Sequence, residues 1–301
     1  MSELTASCTD RWPRRAAHWR LRARTLDLGL RPLVMGIVNV TPDSFSDGGR
    51  FLDSSAAVDH ALALVEAGAE LLDIGGESTR PYAPAVDADE ERRRVLPVLE
   101  RLAPQTAVPL SIDTSKALVA AGALELGVEI VNDVTGLQGD PMMLPLAVAA
   151  GAGVCAMHMR GTPQTMQDDP RYEDVVADVL AWLRQRRDEL LGAGLQFDRL
   201  CLDVGIGFGK THQHNMLLMA SLHRFHELGC PLLVGPSRKA FLRKLLDRDD
   251  ADLAAATAGA CAAAAVQGVQ VVRVHDVQQV RDALLALMAC GGVDSAARHL
   301  A

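Results

Sequence analysis

The chain has 301 residues, 49% of them hydrophobic and 4% aromatic, with 30 basic against 38 acidic side chains and a net charge of −8. That length suits one large α/β domain or two medium ones, and the acidic balance argues against a general nucleic-acid binder, which needs a basic stripe. A few Arg and Lys can still build a local site for a small anion.

The N-terminal stretch "DRWPRRAAHWRLRAR" is Arg-rich but has no apolar run after it, so no secretory signal is expected. Residues 1–30 read as a solvated extension or a short hairpin entering the domain. The six cysteines (Cys8, Cys155, Cys201, Cys230, Cys261 and Cys290) form no C-x-x-C pair. Buried reduced thiols and a cytoplasmic location are the expectation.

Apolar runs at 33–38, 70–74, 108–112, 128–131, 153–157, 200–203, 231–234 and 269–274 read as strands. Between them, helix periodicity covers Val58 to Val65, Glu90 to Leu102, Ser115 to Glu125, Tyr172 to Leu191, Gln213 to Leu228 and Val277 to Ala289. Asp53-Ser54-Ser55 are cap candidates for the first helix and Gly68 its stop. Residues 253–272 carry no charge, which raises a membrane-span question. Their alanines are weak hydrophobes, and a buried helix followed by a strand fits better. Eight strands alternating with helices predict a single (β/α)8 TIM barrel over 31–292 with a short tail at 293–301. An open doubly wound sheet is the alternative, but the first strand is not followed by G-x-G-x-x-G.

Barrel active sites form at the C-terminal ends of the strands. Here those ends read Asn39, then Asp73 through Glu77, Thr79 and Arg80, then Asp113, Asn132-Asp133, His158, Asp203, Ser237-Arg238-Lys239, and Arg273 with His275-Asp276. A single Asp or Asn after a strand is usually a helix cap. Asp113 looks like one, and Asp133 and Asp276 are assigned as caps. Eight polar ends in succession instead describe one convergent ring. Asn39, Asp113, Asn132 and Asp203 supply acceptors for a flat heterocycle with adjacent N–H groups. Lys239, Arg273 and His275 supply cations where barrels bind phosphate. The glycines of "DVGIGFGK" suggest a tight loop close to a flat ligand, with Phe208 packed. His212-x-His214 and His223-x-x-His226 offer no third ligand and read as a solvated helix face.

Eight segments are more specific: "MGIVNVTPDSFSDGG", "LLDIGGESTRP", "LSIDTSK", "IVNDVTG", "MHMRGTPQTMQ", "LDVGIGFGK", "GPSRKAFL" and "RVHDV". In this order they resemble the dihydropteroate synthases, pterin-binding barrel transferases of folate biosynthesis that sulfonamides inhibit. The resemblance implies condensation of 6-hydroxymethyl-7,8-dihydropterin diphosphate with 4-aminobenzoate, by an SN1-like loss of diphosphate. It implies that Asp113, Asn132, Asp203 and Lys239 line the pterin pocket. Asn39, Thr79, Arg80, Arg273 and His275 meet the diphosphate, and Asn39 helps to hold Mg²⁺. Phe45, Pro81, Ser237 and the Arg238 backbone region receive aminobenzoate. Asp113, Asn39 and Lys239 carry the catalysis. It also implies a homodimer, with no nucleic-acid or membrane partner.

Two alternatives are a non-catalytic pterin-binding paralogue and a related methyltransferase that passes a methyl group from a folate to a corrinoid. The Ser-Arg-Lys and Arg-Val-His set disfavours the latter. Residues 39–50 are expected to form a mobile lid with Phe45 waiting for aminobenzoate. Two residues depart from the family pattern. Val204 replaces a proline, which should loosen its turn, and Tyr82 stands where glycine is frequent, which should alter the second loop.

Overall fold

In the computed structural model, residues 11–41, 49–248 and 250–292 are described. The tip of the expected lid, with Phe45, lies outside them.

All eight expected runs form parallel strands: β3 (Leu33–Asn39), β4 (Leu71–Gly75), β5 (Leu110–Asp113), β6 (Ile130–Asp133), β7 (Gly153–Met157), β8 (Leu200–Asp203), β9 (Leu232–Val234) and β10 (Val271–Val274). They close in the order β10-β3-β4-β5-β6-β7-β8-β9, so the doubly wound alternative falls. Before them, β1 (His18–Arg20) and β2 (Thr25–Asp27) pair antiparallel.

Nine α-helices occur among the described residues: α1 (Gly49–Glu66), α2 (Ala88–Leu102), α3 (Ala117–Glu125), α4 (Met143–Ala150), α5 (Val175–Gly192), α6 (His212–Ala220), α7 (Ala240–Leu246), α8 (Leu253–Val266) and α9 (Val277–Ala289). The first begins ahead of the expected cap residues. Ser54 and Ser55 lie inside it, and their hydroxyls accept from Arg101 Nη1 at 3.2 and 2.9 Å. The stop is right: Gly68 takes φ 97, a left-handed value that glycine tolerates. Helices α4 and α7 have no counterpart in the sequence reading. The first is "MLPLAVAA", which has no polar face to mark a period, and the second is barely two turns. The predicted helix from Gln213 to Leu228 breaks after Ala220 into a 3₁₀ segment, Leu222–Leu228, that ends on left-handed Gly229. No helix among the described residues is long and apolar enough to cross a membrane.

Side chains alternate along a strand, so each strand presents every second residue to the barrel interior. Met35, Leu71, Ile130, Cys155, Cys201, Leu233 and Val271 form one buried cluster inside, while Val34, Leu72, Ile112, Val131, Val154, Leu202, Val234 and Val272 pack outward against the helices. Trp19, Leu21 and Leu28 of the hairpin region complete the inner cluster, so the hairpin stoppers the N-terminal end. Trp19 is fully buried and its Nε1 donates to the Arg199 carbonyl at 2.9 Å. The arginines of this segment are not merely solvated. Arg15 donates to the carbonyls of Gly268, Leu28 and Gly29, and Arg24 to Ala107 O and to the Glu129 carboxylate. Cys155, Cys201, Cys230 and Cys261 are buried and unbridged, and Cys290 is exposed.

Candidate active site

One step of two residues above the apolar layer, the same strands point inward again. The residues there are Ile37, Asp73, Asp113, Asn132, Met157, Asp203, Gly235 and Arg273. The alternation that buries an apolar floor therefore also lifts a polar layer above it. Arg273 holds this layer together: its Nε donates to Asp73 Oδ2 at 2.5 Å and its Nη2 to Asp113 Oδ2 at 2.6 Å. Asn132 Nδ2 donates to the same Asp73 oxygen at 2.9 Å. Asp73 Oδ1 is buried with no hydrogen-bond partner among the described residues.

Above lies an open cavity of about 1040 Å³. Of the residues singled out in the sequence, Asn39, Thr79, Arg80, Pro81, Asp113, Asp203, Ser237, Arg238, Lys239, Arg273 and His275 line it. Asn132 sits behind it, bonded to Asp73, and Phe45 is outside the described residues. Lining residues that the sequence reading did not single out as site residues include His60, Met166, Gln167, Phe208 and Lys210.

Burial sets the charges. Burial raises Asp113 to about 7 against the pull of Arg273, with Asp73 adding to the rise. Burial likewise raises Asp203 to about 6, opposed by the N–H of Gly205 and by Lys239 and Lys210. Lys239 is lowered to about 8 by burial and by Arg273, with Asp203 pulling the other way. Burial and the cations Arg273 and Arg238 lower His275 to about 4, so near neutral pH it is an uncharged imidazole, not the expected cation. Its Nδ1 lies 3.0 Å from Ser237 Oγ. Arg273 behaves oppositely: burial alone would lower it, yet Asp73 and Asp113 hold it above its ordinary value.

The glycine-rich loop is built by close approach. Gly205, Gly207 and Gly209 all have positive φ, and a Cβ on Gly205 would meet His158 O at 1.9 Å. Gly205 N–H donates to Asp203 Oδ1 at 2.7 Å and so aims that carboxylate despite the missing proline. Phe208 is packed, as expected, against Val134, Met157 and Met166. The Lys239 ammonium stands 4.1 Å from its ring centroid, a cation–π contact. Lys210 is buried below, 3.0 Å from His158 Nδ1 and donating to Phe208 O at 2.9 Å.

Asp113, cap-like in sequence, faces the barrel and binds Arg273, as its place in the ring requires. Of the two cap assignments, Asp133 fails: its Oδ1 accepts from Thr135 within a turn. Asp276 does stand at the N-cap of α9, but its side chain makes no cap bond; it forms a two-pronged pair with Arg238, at 2.9 and 2.5 Å. Helices here are capped by residues away from the strand ends, Asp87, Asp174, Thr211 and Asp252. The Arg238 N–H, expected at aminobenzoate, donates to Thr257 Oγ1 at 3.1 Å. His214 joins the capping box of α6, and His226 is buried with Nε2 2.9 Å from Gln267 O, so neither pair is simply a solvated face. Among the described residues, no cluster of three or more His, Cys, Asp or Glu could hold a metal.

This polar layer above an apolar floor, at the C-terminal mouth of a closed barrel, defines a pterin-binding barrel: the pattern of the pterin binding enzymes matches residues 35–275. The chain is 45% identical over 225 residues to the dihydropteroate synthase of Haemophilus influenzae, covering 75% of this chain and 81% of that one. It superposes at TM-score 0.85 on the Yersinia pestis dihydropteroate synthase with a sulfonamide drug complex, with 44% identity and coverage of 91% and 98%. It superposes equally, at 0.85, on the Xanthomonas albilineans enzyme with 4-aminobenzoic acid, with 46% identity and the same coverage. The chain belongs to the pterin-binding enzymes and, among them, to the dihydropteroate synthases, transferases of the folate pathway.

Proposed function

We propose that the polar layer holds 6-hydroxymethyl-7,8-dihydropterin diphosphate and that 4-aminobenzoate enters above it. The observation that carries this is the pairing of a buried, hydrogen-bond-aimed Asp203 with a half-buried Lys239 seated on Phe208. Asp203 accepts two parallel N–H bonds from the aminopyrimidine edge, and Lys239 donates to the ring carbonyl side. Asn132 lies behind the ring and keeps Asp73 in place. Arg273 and His275, with Thr79 and Arg80 from the second loop, face the diphosphate.

The reaction breaks the methylene C–O bond, and the electron pair leaves with the diphosphate. Positive charge then spreads over the electron-rich pterin, and Asp113 beneath it stabilises that charge. The neutral arylamine of aminobenzoate attacks the methylene, a C–N bond forms, and the nitrogen gives up a proton to solvent. No serine, cysteine or strong base is needed. Ser237 meets the carboxylate, with the backbone region of Arg238 beside it, and Pro81 packs on its ring; Phe45 belongs to the same proposal.

The donor set suits Mg²⁺ carried on the substrate, because Mg²⁺ commonly takes one or two protein oxygens plus phosphates and water. Asn39 is that protein oxygen, and the ion would add charge neutralisation at the departing diphosphate. A homodimer is carried over from the family, and the unbridged buried thiols support a cytoplasmic setting.

A coupled assay tests the reading: diphosphate release should require both substrates and should fall on chelation of Mg²⁺. Release that does not depend on aminobenzoate would sink it, and pterin binding without turnover would favour the non-catalytic paralogue. Sedimentation as a single 32.2 kDa chain would remove the dimer.

A further inference from the structure

We infer that Tyr82 is a positioning residue for the second substrate, because its hydroxyl bond to Asp168 straps the loop after β4 to the loop after β7 across the cavity mouth. The inference rests on the proposed placement of aminobenzoate above the pterin.

Tyr82 sits at φ 63, a conformation that glycine takes freely and bulky residues avoid. Such a conformation persists only where the surroundings impose it. The impositions are visible. Tyr82 N donates to Pro163 O at 3.1 Å, its hydroxyl donates to Asp168 Oδ1 at 3.1 Å, and Gln164 Nε2 donates to Ala83 O at 3.3 Å. The base of the same loop is closed separately: Glu77 accepts from Val86 N at 2.8 Å and from Lys116 Nζ at 2.6 Å. The loop is therefore fixed at its base by its own strand's neighbours and at its tip only by the opposite loop.

Both ends of the strap lead directly into the cavity. Thr79, Arg80 and Pro81 line it just before Tyr82, and Met166 and Gln167 line it just before Asp168. Gln167 Nε2 then donates to Gly207 O at 2.9 Å, which ties the strap to the glycine-rich loop. A mouth whose two walls are joined before a ligand arrives spares that ligand the cost of ordering them. The ligand that packs between the walls gains from this; a ligand on the polar layer below does not. Tyr82 thus acts on the arylamine seat beside Pro81, and not on the pterin ring held by Asp203 and Lys239.

The test uses the full-length enzyme with both substrates, and calorimetry with 6-hydroxymethyl-7,8-dihydropterin, which lacks the diphosphate that Thr79 and Arg80 face. Tyr82→Phe and Asp168→Ala should each raise the KM for 4-aminobenzoate about three- to tenfold, as loss of one hydrogen bond would. Pterin affinity and kcat should stay within twofold, roughly the limit of assay resolution. The double variant should be no worse than either single one. Asp168→Asn keeps an acceptor oxygen and should restore KM to the wild-type value. Tyr82→Gly, which fits the backbone and frees the loop, should raise KM at least as far as Tyr82→Phe. An unchanged KM in Tyr82→Phe, additive single effects, or Asp168→Asn behaving as Asp168→Ala would overturn the strap. A pterin affinity unaffected by Asp203→Asn would instead overturn the underlying site assignment, so the two failures are separable.

Discussion

The lower and upper layers of the barrel interior are made by the same eight strands and differ by a step of two residues. Below, Met35, Leu71, Ile130 and Val271 are sealed under Trp19. Above, Asp73, Asn132 and Asp203 are nearly as deeply enclosed but carry charge or amide groups, and the half-buried Arg273 pairs with Asp73 among them. Burial is thus not what separates core from site. The lower layer gains stability from leaving water, whereas the upper layer is held only by mutual pairing, Arg273 with Asp73 and Asp113. The two layers should therefore fail in different ways when cut.

The sharpest cut is Arg273→Met. It leaves Asp73 and Asp113 as enclosed carboxylates without their cation, at a cost of roughly 3–5 kcal/mol in chemical denaturation together with loss of turnover. Leu71→Ala, in the lower layer, should cost about 2–5 kcal/mol of stability and yet leave kcat/KM of the folded protein unchanged. A large kcat/KM loss there would erase the distinction between the layers.

Asp203→Asn should do the reverse, weakening pterin binding about a hundredfold by calorimetry while the fold survives. Its effect on melting should carry a sign. The raised Asp203 holds its proton to about pH 6 when folded but only to 3.8 as an unperturbed carboxyl. Its contribution to stability is present below pH 4 and is lost as pH rises through 6. The variant should therefore melt higher than the parent at pH 8 and no higher at pH 4. Equal shifts at both pH values would contradict this.

The smallest effect is the pH profile of kcat/KM for the pterin diphosphate. It should rise through about 6 to 7, where Asp203 and then Asp113 ionise, and fall about tenfold per pH unit above about 8, where Lys239 loses its charge. A profile with its limits near 4 and 10 would mean that none of these groups is perturbed when it matters.

The sequence made the barrel readable because its strands are short apolar runs separated by helices with clear period or clear breaks. Helix α4 escaped because its eight residues are almost all apolar. The polar ring was readable because all eight strand ends carry groups chemically unusual for a core. What single residues do there was harder to read. Asp113 and Asp276 look like caps in one dimension, and only the closed sheet shows that one faces inward and the other pairs with Arg238. Asp73 is counted among the polar strand ends but receives no role there. It stands two residues after the inward Leu71, so the alternation alone points it into the ring. Lys210 and His158 meet only through the fold, 52 positions apart in sequence.

The stopper at the foot of the barrel has a further consequence. A tube open at both ends could admit its two ligands from opposite sides. With Trp19 and Leu21 filling one end, this one is, among the described residues, a cup open at the other. On the proposed placement, the pterin lies low against Asp203 and the arylamine above it near Ser237, beyond the end of β9. Whatever takes the lower seat would then pass the upper one first, so the diphosphate ester would enter before the arylamine, and the joined product would leave before the next one follows.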